Sequence, residues 1–188
     1  DMAVLAGDEL FIYAFETAAK AFALTDRADL VGKAISILAN KAGIYGMIGG
    51  QSVDVEYTDR PVTKSQLEFI YELKTAALLE AAMMIGAVLA GADDNQVKAA
   101  EQIAHHVGMA FQIRDDILDV ISTTEELGKP VKSDEKNNKT TYVTIYGLDG
   151  ASKLVEEYSH TAMTLLDQVC PNASFLKRLF EYLIVRKK

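Results

Sequence analysis

The sequence has little cysteine, proline or tryptophan, and it lacks any long apolar run. A single cysteine, Cys170, excludes a disulfide framework within the chain and suits a reducing compartment, so we expect a cytoplasmic protein. No stretch of about 18 consecutive apolar residues occurs, so we expect no membrane span. With 3 prolines, no tryptophan and 49% hydrophobic residues among 188, the chain can build one domain with a substantial core.

Acidic residues outnumber basic ones, which gives a formal net charge of −8. This charge argues against nucleic acid or an anionic membrane surface as the main partner. The chain opens at Asp1 on a segment whose apolar residues already recur at helical spacing, and it has no start methionine. We therefore expect an N-terminally incomplete protein.

Apolar residues recur at helical spacing along most of the chain, and no strand pattern, internal repeat or linker interrupts them. The sequence therefore predicts an all-α fold of about six or seven helices in a single domain over residues 1–188. We expect the basic residues Arg186, Lys187 and Lys188 to form a solvated tail. The predicted helices are 2–22, 27–54, 63–90, 94–122, 141–146, 150–167 and 174–188.

Four glycines lie in the second half of the predicted helix 27–54. Glycine inside a helix costs roughly 0.8–1 kcal/mol relative to alanine, so four glycines destabilise a continuous helix by several kcal/mol. One interpretation is that the helix ends here in a glycine-rich turn. We favour the other, in which the helix continues to residue 54 and small residues let another helix or a ligand approach its backbone closely. The glycines are Gly43, Gly46, Gly49 and Gly50.

Two helix starts carry recognisable capping residues. Thr63 followed by Gln66 matches a capping box, in which each side chain bonds the backbone N–H of the other residue. Asp93 and Asp94 open the next helix, where acidic side chains satisfy free N–H groups and suit the helix dipole. We therefore interpret this second pair of acids as structural.

Three aspartates cluster near the end of the predicted helix 94–122. In a helix, Asp115 and Asp119 lie on one face and Asp116 lies about 100° around the axis. The helix C-terminus disfavours acids by up to about 1 kcal/mol each, so a compensating group from outside the helix is expected. Mg²⁺ fits best because it binds carboxylate oxygens together with water and substrate phosphates. A solvated acidic face is the alternative.

Lysines stand out in two places. Lys74 lies in the otherwise almost wholly apolar stretch 73–90, where a lysine either reaches the surface along its own stem or meets a buried polyanion. The segment 129–140 contains four lysines, among them Lys129 and Lys139. Together with the aspartates, these lysines predict a metal site and a cationic clamp on either side of a phosphate-bearing ligand.

Several segments resemble the motifs of the trans-prenyl diphosphate synthases, the polyprenyl synthetase family, in the order that the family has them and over nearly the whole chain. The family members that the sequence resembles most are bacterial enzymes of the farnesyl and geranylgeranyl diphosphate synthase type. The matching segments are residues 3–8 (AVLAGD), 46–54 (GMIGGQSVD), 74–75 (KT), 111–119 (FQIRDDILD), 127–134 (LGKPVKSD) and 138–142 (NKTTY).

This resemblance implies an isoprenoid synthase bundle and a prenyltransferase activity. Members condense isopentenyl diphosphate with an allylic diphosphate to make a short-chain trans-prenyl diphosphate, they use Mg²⁺, and the leaving diphosphate acts as the base. Members of the family are homodimers, so a homodimer is expected here too.

The resemblance also implies roles for individual residues. Asp115 is expected to bind the metal directly, and Asp116 and Asp119 complete this metal motif by orienting metal-bound water and the lysines. Lys74, Lys129 and Lys139 are expected to contact the allylic diphosphate. The other substrate-binding residues are Gln51, Thr75 and Gln112 near the reacting carbons and Phe111 beside the isopentenyl unit. The residues expected to act in catalysis are Lys74, Thr75, Gln112, Lys129 and Lys139.

The sequence departs from the family in one respect, because the first aspartate-rich motif and the basic residues upstream of it would precede Asp1. We therefore expect these 188 residues alone to be inactive. Three alternatives stay open: a non-catalytic subunit of a heteromeric synthase, a helical interaction domain, and a class I terpene cyclase. The cyclase is disfavoured because its second metal motif is missing.

Overall fold

The computed structural model describes residues 1–122 and 139–186, which fold into helices without a β-strand. The predicted all-α class is confirmed. No helix within these residues is long and apolar enough to cross a membrane. The helices are α1 (Met2–Ala19), a 3₁₀ turn (Lys20–Ala23), α2 (Ala28–Ala42), α3 (Met47–Glu56), α4 (Lys64–Tyr71), a π-helical segment (Glu72–Ala76), α5 (Ala77–Leu89), α6 (Asp94–Ile121), α7 (Tyr142–Val169) and α8 (Ser174–Val185).

Helix α6 lies at the centre of the fold and packs against α5 and α7. Its apolar side chains belong to two buried clusters, one shared with α4 and α7 and the other shared with α7 and α8. Burial on several sides fixes α6 firmly, and its last turns carry the aspartate motif. The two clusters contain Leu67, Ile70, Tyr71, Met109, Ala110, Ile113, Ile117, Tyr142, Ala151 and Val155, and Ile103, Val107, Ala162, Leu166 and Phe180.

Both predicted helix starts have the expected caps. Thr63 Oγ1 accepts a hydrogen bond from the Gln66 backbone N–H at 3.3 Å, and Gln66 Oε1 accepts one from the Thr63 N–H at 2.8 Å. Asp93 and Gln96 make the same reciprocal pair at 2.9 and 3.0 Å. Such caps stabilise a helix start by about 1 kcal/mol, and here they fix where α4 and α6 begin.

The continuous helix predicted over residues 27–54 is wrong. Helix α2 ends at Ala42, and α3 begins at Met47 after a tight turn. A Cβ atom on Gly46 would lie 1.9 Å from the Lys41 carbonyl oxygen, so this turn requires glycine. The alternative interpretation, a helix that ends in a glycine-rich turn, is therefore correct for this part of the segment.

The other predicted role of glycine, close approach of a neighbouring element to the helix backbone, applies at Gly50, one turn after Gly46. A Cβ atom on Gly50 of α3 would lie 2.4 Å from the Lys74 backbone nitrogen. On the other side, a Cβ atom on Gly108 of α6 would lie 2.6 Å from Ala76 Cβ. The π-helical segment therefore lies between two glycines, in contact with the backbones of α3 and α6.

A partly buried ionic network joins α2, α5 and α6. Lys41 Nζ pairs with Glu80 and, at 2.6 Å, with Glu101 Oε1, while His105 Nδ1 lies 3.2 Å from Glu80 Oε1. Burial acts to raise the pKa of Glu80, but the hydrogen bonds of His105 and Lys41 outweigh it and hold this pKa below its usual range. The hydrogen bond of Glu80 raises the pKa of His105. The network therefore ties α2, α5 and α6 to one another.

We predict that Gly108→Ala lowers the free energy of unfolding although alanine is the better helix former. Forcing a methyl group into a filled core costs about 1–3 kcal/mol, against a propensity gain of up to about 1 kcal/mol, so a net loss of about 1–2 kcal/mol is expected. Gly86→Ala is the matched control, because no described atom beyond its chain neighbours and its own helix backbone lies within 4 Å of its added Cβ. It should raise stability by about 0.5–1 kcal/mol. Urea denaturation measures both, and equal effects would contradict the close contact.

Candidate functional site

The carboxylate of Asp116 connects three elements at the site. Its oxygens accept the Tyr71 hydroxyl at 2.8 and 2.7 Å, and Oδ2 also accepts the Tyr142 backbone N–H at 2.9 Å. Asp116 is only 3% exposed. Tyr71 ends α4 and Tyr142 begins α7, so one buried carboxylate of α6 fixes both of these helix ends.

Two of the predicted lysines meet at one carboxylate, Asp54 of α3. Lys74 Nζ lies 2.6 Å from Asp54 Oδ2, and Lys139 Nζ lies 3.2 Å from Oδ1. Burial acts to raise the pKa of Asp54, but the hydrogen bonds and charges of the two lysines outweigh it and hold this pKa below its usual range. Two partly exposed ammonium groups therefore share one ionised carboxylate at this site.

The π-helical segment turns consecutive side chains toward two different helices. Lys74 reaches Asp54 on α3, while the hydroxyl of Thr75 donates a hydrogen bond to Gln112 Oε1 on α6 at 2.8 Å. A π-helical segment inserts one residue into a helix, and such segments are frequent at functional sites. It places Thr75 against Gln112, which lies about one turn before Asp115 and Asp116 on α6.

The C-terminal end of the described chain also reaches this region. Arg186 lies over the ring of Phe111, with Cζ 3.7 Å from the ring centroid, and its Nη2 pairs with Asp115 Oδ1. The Arg186 carbonyl oxygen accepts hydrogen bonds from Arg114 Nε at 3.3 Å and Nη2 at 3.1 Å. The prediction of a solvated basic tail is therefore wrong for Arg186, and Lys187 and Lys188 lie outside the described residues.

The remaining predicted site residues differ in their placement. Asp119 is 3% exposed and lies one turn beyond Asp115 in α6. Gln51 is half-buried on α3, three positions before Asp54. Lys129 lies outside the described residues. The structure thus brings together Lys74 with Lys139, Thr75 with Gln112, and Phe111 with Asp115.

Sequence reasoning missed four residues that organise the site. Asp54 had a signal, because it is the last residue of the segment that resembles the family motif GGQxxD. Tyr142 likewise had a signal, because it is the last residue of the matching segment 138–142, whereas Tyr71 carried none, since a tyrosine in an apolar helix resembles any other core residue. Arg186 was misjudged because a terminal basic residue is usually solvated. Only the tertiary contacts identify Tyr71 and Arg186.

The donor set fits Mg²⁺ chemically. Mg²⁺ binds one or two protein carboxylates and takes its remaining ligands from water and phosphate oxygens. The Asp115 side chain is 34% exposed and can offer an oxygen at the surface of the site, whereas Asp116 is buried and holds Tyr71 and Tyr142. Within residues 1–122 and 139–186, no group of three or more metal-binding side chains is gathered. Asp115 is thus the most exposed of the three aspartates and the one that a solvated ion can reach.

Comparison with known proteins gives one consistent result. A model of the polyprenyl synthetase family matches residues 1–172. The chain is similar to the farnesyl diphosphate synthase of Geobacillus stearothermophilus, with 37% identity over 185 residues that cover 98% of this chain and 62% of that protein. It is 42% identical to the geranylgeranyl diphosphate synthase of Cyanophora paradoxa over 157 residues, which cover 83% of this chain and 52% of that protein.

Two solved structures have similar folds. One is a geranyltransferase from Helicobacter pylori complexed with magnesium and isoprenyl diphosphate, with a TM-score of 0.81 and 33% identity over 97% of this chain and 59% of that one. The other is a geranylgeranyl pyrophosphate synthetase from Pyrococcus horikoshii, with a TM-score of 0.84 and 26% identity over 98% of this chain and 67% of that one. The chain spans 52% to 62% of the curated relatives named above.

We predict that neighbouring aspartates differ in their effect on stability. Asp116→Asn replaces the buried carboxylate that accepts hydrogen bonds from the Tyr71 hydroxyl and the Tyr142 N–H with a neutral amide. This change should lower the free energy of unfolding by about 1.5–3 kcal/mol. Asp115→Asn removes a partly exposed ion pair and should cost less than about 1 kcal/mol. Chemical denaturation of both variants provides the measurement. Equal losses would contradict the structural role of Asp116.

Proposed function

The chain belongs to the polyprenyl synthetase family, and we propose that it carries the diphosphate-binding half-site of a prenyltransferase. The proposed enzyme condenses isopentenyl diphosphate with an allylic diphosphate and makes a trans-prenyl diphosphate of the farnesyl to geranylgeranyl class. The observation that carries this proposal is the convergence of Lys74 and Lys139 on Asp54 beside Thr75. A paired ammonium site next to an aspartate motif suits a polyanion.

In the proposed reaction, the bond between the allylic carbon and the diphosphate oxygen breaks, and diphosphate leaves with the electron pair. The double bond of isopentenyl diphosphate attacks the allylic carbon, a carbon–carbon bond forms, and the departing diphosphate takes the proton that is lost. The barrier is charge separation. Cations fixed at the leaving group lower that barrier because they are already oriented when charge develops.

The residues of the site have separate roles in this scheme. Lys74 and Lys139 exchange part of their contact with Asp54 for diphosphate oxygens and hold the leaving group. Lys129 is proposed to act with them, by the resemblance of its segment to the family loop. The bonded pair Thr75 and Gln112 lies beside the reacting carbons.

The other assigned residues complete the proposed site. Asp115 would hold Mg²⁺, and Asp116 and Asp119 would orient metal-bound water and the lysines. The metal would supply positive charge that neutralises the diphosphate. Phe111 lies beside the isopentenyl unit, and Gln51 lines the site from α3.

We predict that Asp115→Asn and Lys74→Ala each lower kcat/KM by about 10²–10³, the usual cost of removing one fixed electrostatic partner of the transition state. The assay measures transfer of labelled isopentenyl diphosphate to geranyl diphosphate by the full-length protein with Mg²⁺. Lys33→Ala is the control, since Lys33 pairs with Asp94 at the start of α6, away from the site. An unaltered rate in Asp115→Asn would refute the metal role. A parent protein without turnover would favour a non-catalytic subunit.

We further propose a homodimer that forms through α1. Helix α1 buries none of its residues, and Met2, Val4, Leu5, Leu10 and Ile12 are each at least 60% exposed. A helix that exposes so much apolar surface is typical of a protein interface.

Light scattering coupled to size-exclusion chromatography tests this proposal. Leu10→Glu, which puts a charge on the exposed apolar surface of α1, should shift the protein from dimer to monomer. Tyr182→Glu changes a side chain of the same 70% exposure on α8 and should leave the dimer intact. A dimer that persists in Leu10→Glu would exclude α1 as the contact.

A further inference from the structure

We propose that the guanidinium of Arg186 is an internal counter-cation of Asp115. Mg²⁺ must displace this guanidinium to bind Asp115, so Arg186 sets the metal affinity of the site. The inference rests on the proposed metal role of Asp115. It assigns a positioning role to a residue near the end of the chain, about 70 positions away from the aspartate motif in sequence.

Three contacts hold Arg186 in this place. Its guanidinium lies over the Phe111 ring and pairs with Asp115, and its backbone carbonyl accepts the two hydrogen bonds of Arg114. The Arg186 side chain is only 15% exposed, whereas Asp115 is 34% exposed. The pair is therefore shielded on the arginine side and open on the carboxylate side, from which a solvated ion would arrive.

The guanidinium is not fully satisfied in this position. Arg186 Nε is buried and has no hydrogen-bond partner among the described residues. A buried donor without an acceptor is destabilising, and the ion pair with Asp115 and the stacking on Phe111 offset this cost. Without the Asp115 contact, the Arg186 guanidinium keeps its stacking on Phe111 but loses its ion pair.

Mg²⁺ and the guanidinium compete for the same carboxylate. A cation at Asp115 repels a guanidinium that is already bound to it, so metal binding favours the arrangement in which Arg186 has left. A ligand that binds one state of an equilibrium loses the free energy needed to reach that state. The Arg186 contact therefore weakens Mg²⁺ binding, and Mg²⁺ binding loosens the end of α8 by the same coupling.

Calorimetric titration of the full chain with Mg²⁺ alone tests this inference. Arg186→Gln should tighten Mg²⁺ binding by about five- to thirtyfold, the factor that corresponds to one partly buried charged contact. Arg186→Lys keeps the charge but loses the planar fork and should lie between this variant and the parent. Arg178→Gln removes the same charge from an exposed position on α8 and should leave the affinity unchanged. Unchanged or weaker binding in Arg186→Gln would overturn the inference.

Asp115→Asn separates this inference from the proposed function. In that background, Arg186→Gln should have no further effect, because the shared carboxylate is gone. If Asp115→Asn leaves Mg²⁺ binding as it was, the metal role of Asp115 fails and this inference fails with it. If Asp115→Asn weakens binding but Arg186→Gln does not tighten it, only the role of Arg186 is refuted.

Amide hydrogen exchange gives a second readout that does not depend on affinity. Adding Mg²⁺ to the parent protein should speed exchange in the last turn of α8, and Arg186→Gln should show fast exchange there before metal is added. Exchange that stays the same in the parent on adding saturating Mg²⁺ would contradict the displacement of Arg186.

Discussion

The buried carboxylate of Asp116 is the interaction on which the geometry of the site depends. A carboxylate removed from water must be paired or fully hydrogen-bonded, because its desolvation is costly. The Tyr71 hydroxyl and the Tyr142 backbone N–H meet this requirement from two other helices. The segment that carries Lys74 begins one residue after Tyr71, and Lys139 lies three residues before Tyr142. The positions of both lysines therefore follow from the hydrogen bonds of one aspartate.

The π-helical segment is the second constraint, and it depends on small residues on either side. Gly50 and Gly108 leave room for its backbone. Lys74 and Thr75 can therefore contact two different helices, α3 and α6, from adjacent positions. A regular α-helix along the same path would bond each residue to the fourth one before it and would aim these side chains differently. Close backbone packing and chemical function are thus coupled at this site.

Local signals in the sequence were sufficient for part of this structure. The helical period, the caps at Thr63 and Asp93 and the aspartate motif each depend on residues close together in the chain, and the fold class followed from them. The family followed from several short motifs in order. The turn at Gly46 was the less favoured of two interpretations, since a glycine that breaks a helix and one that admits a neighbour look alike until the packing is known. Contacts between distant segments, such as Arg186 with Asp115, gave no signal in the sequence.

The sharing of Asp54 by two lysines has a consequence for selectivity. Both ammonium groups already pair with the Asp54 carboxylate, so an incoming anion must replace that carboxylate in order to bind them. A ligand with a single negative charge offers little more than Asp54 does and gains little by the exchange. A diphosphate carries several charges and many oxygens, so it can satisfy both lysines at once. If the site binds diphosphate as proposed, this exchange favours ligands with several negative charges over free carboxylates and alcohols.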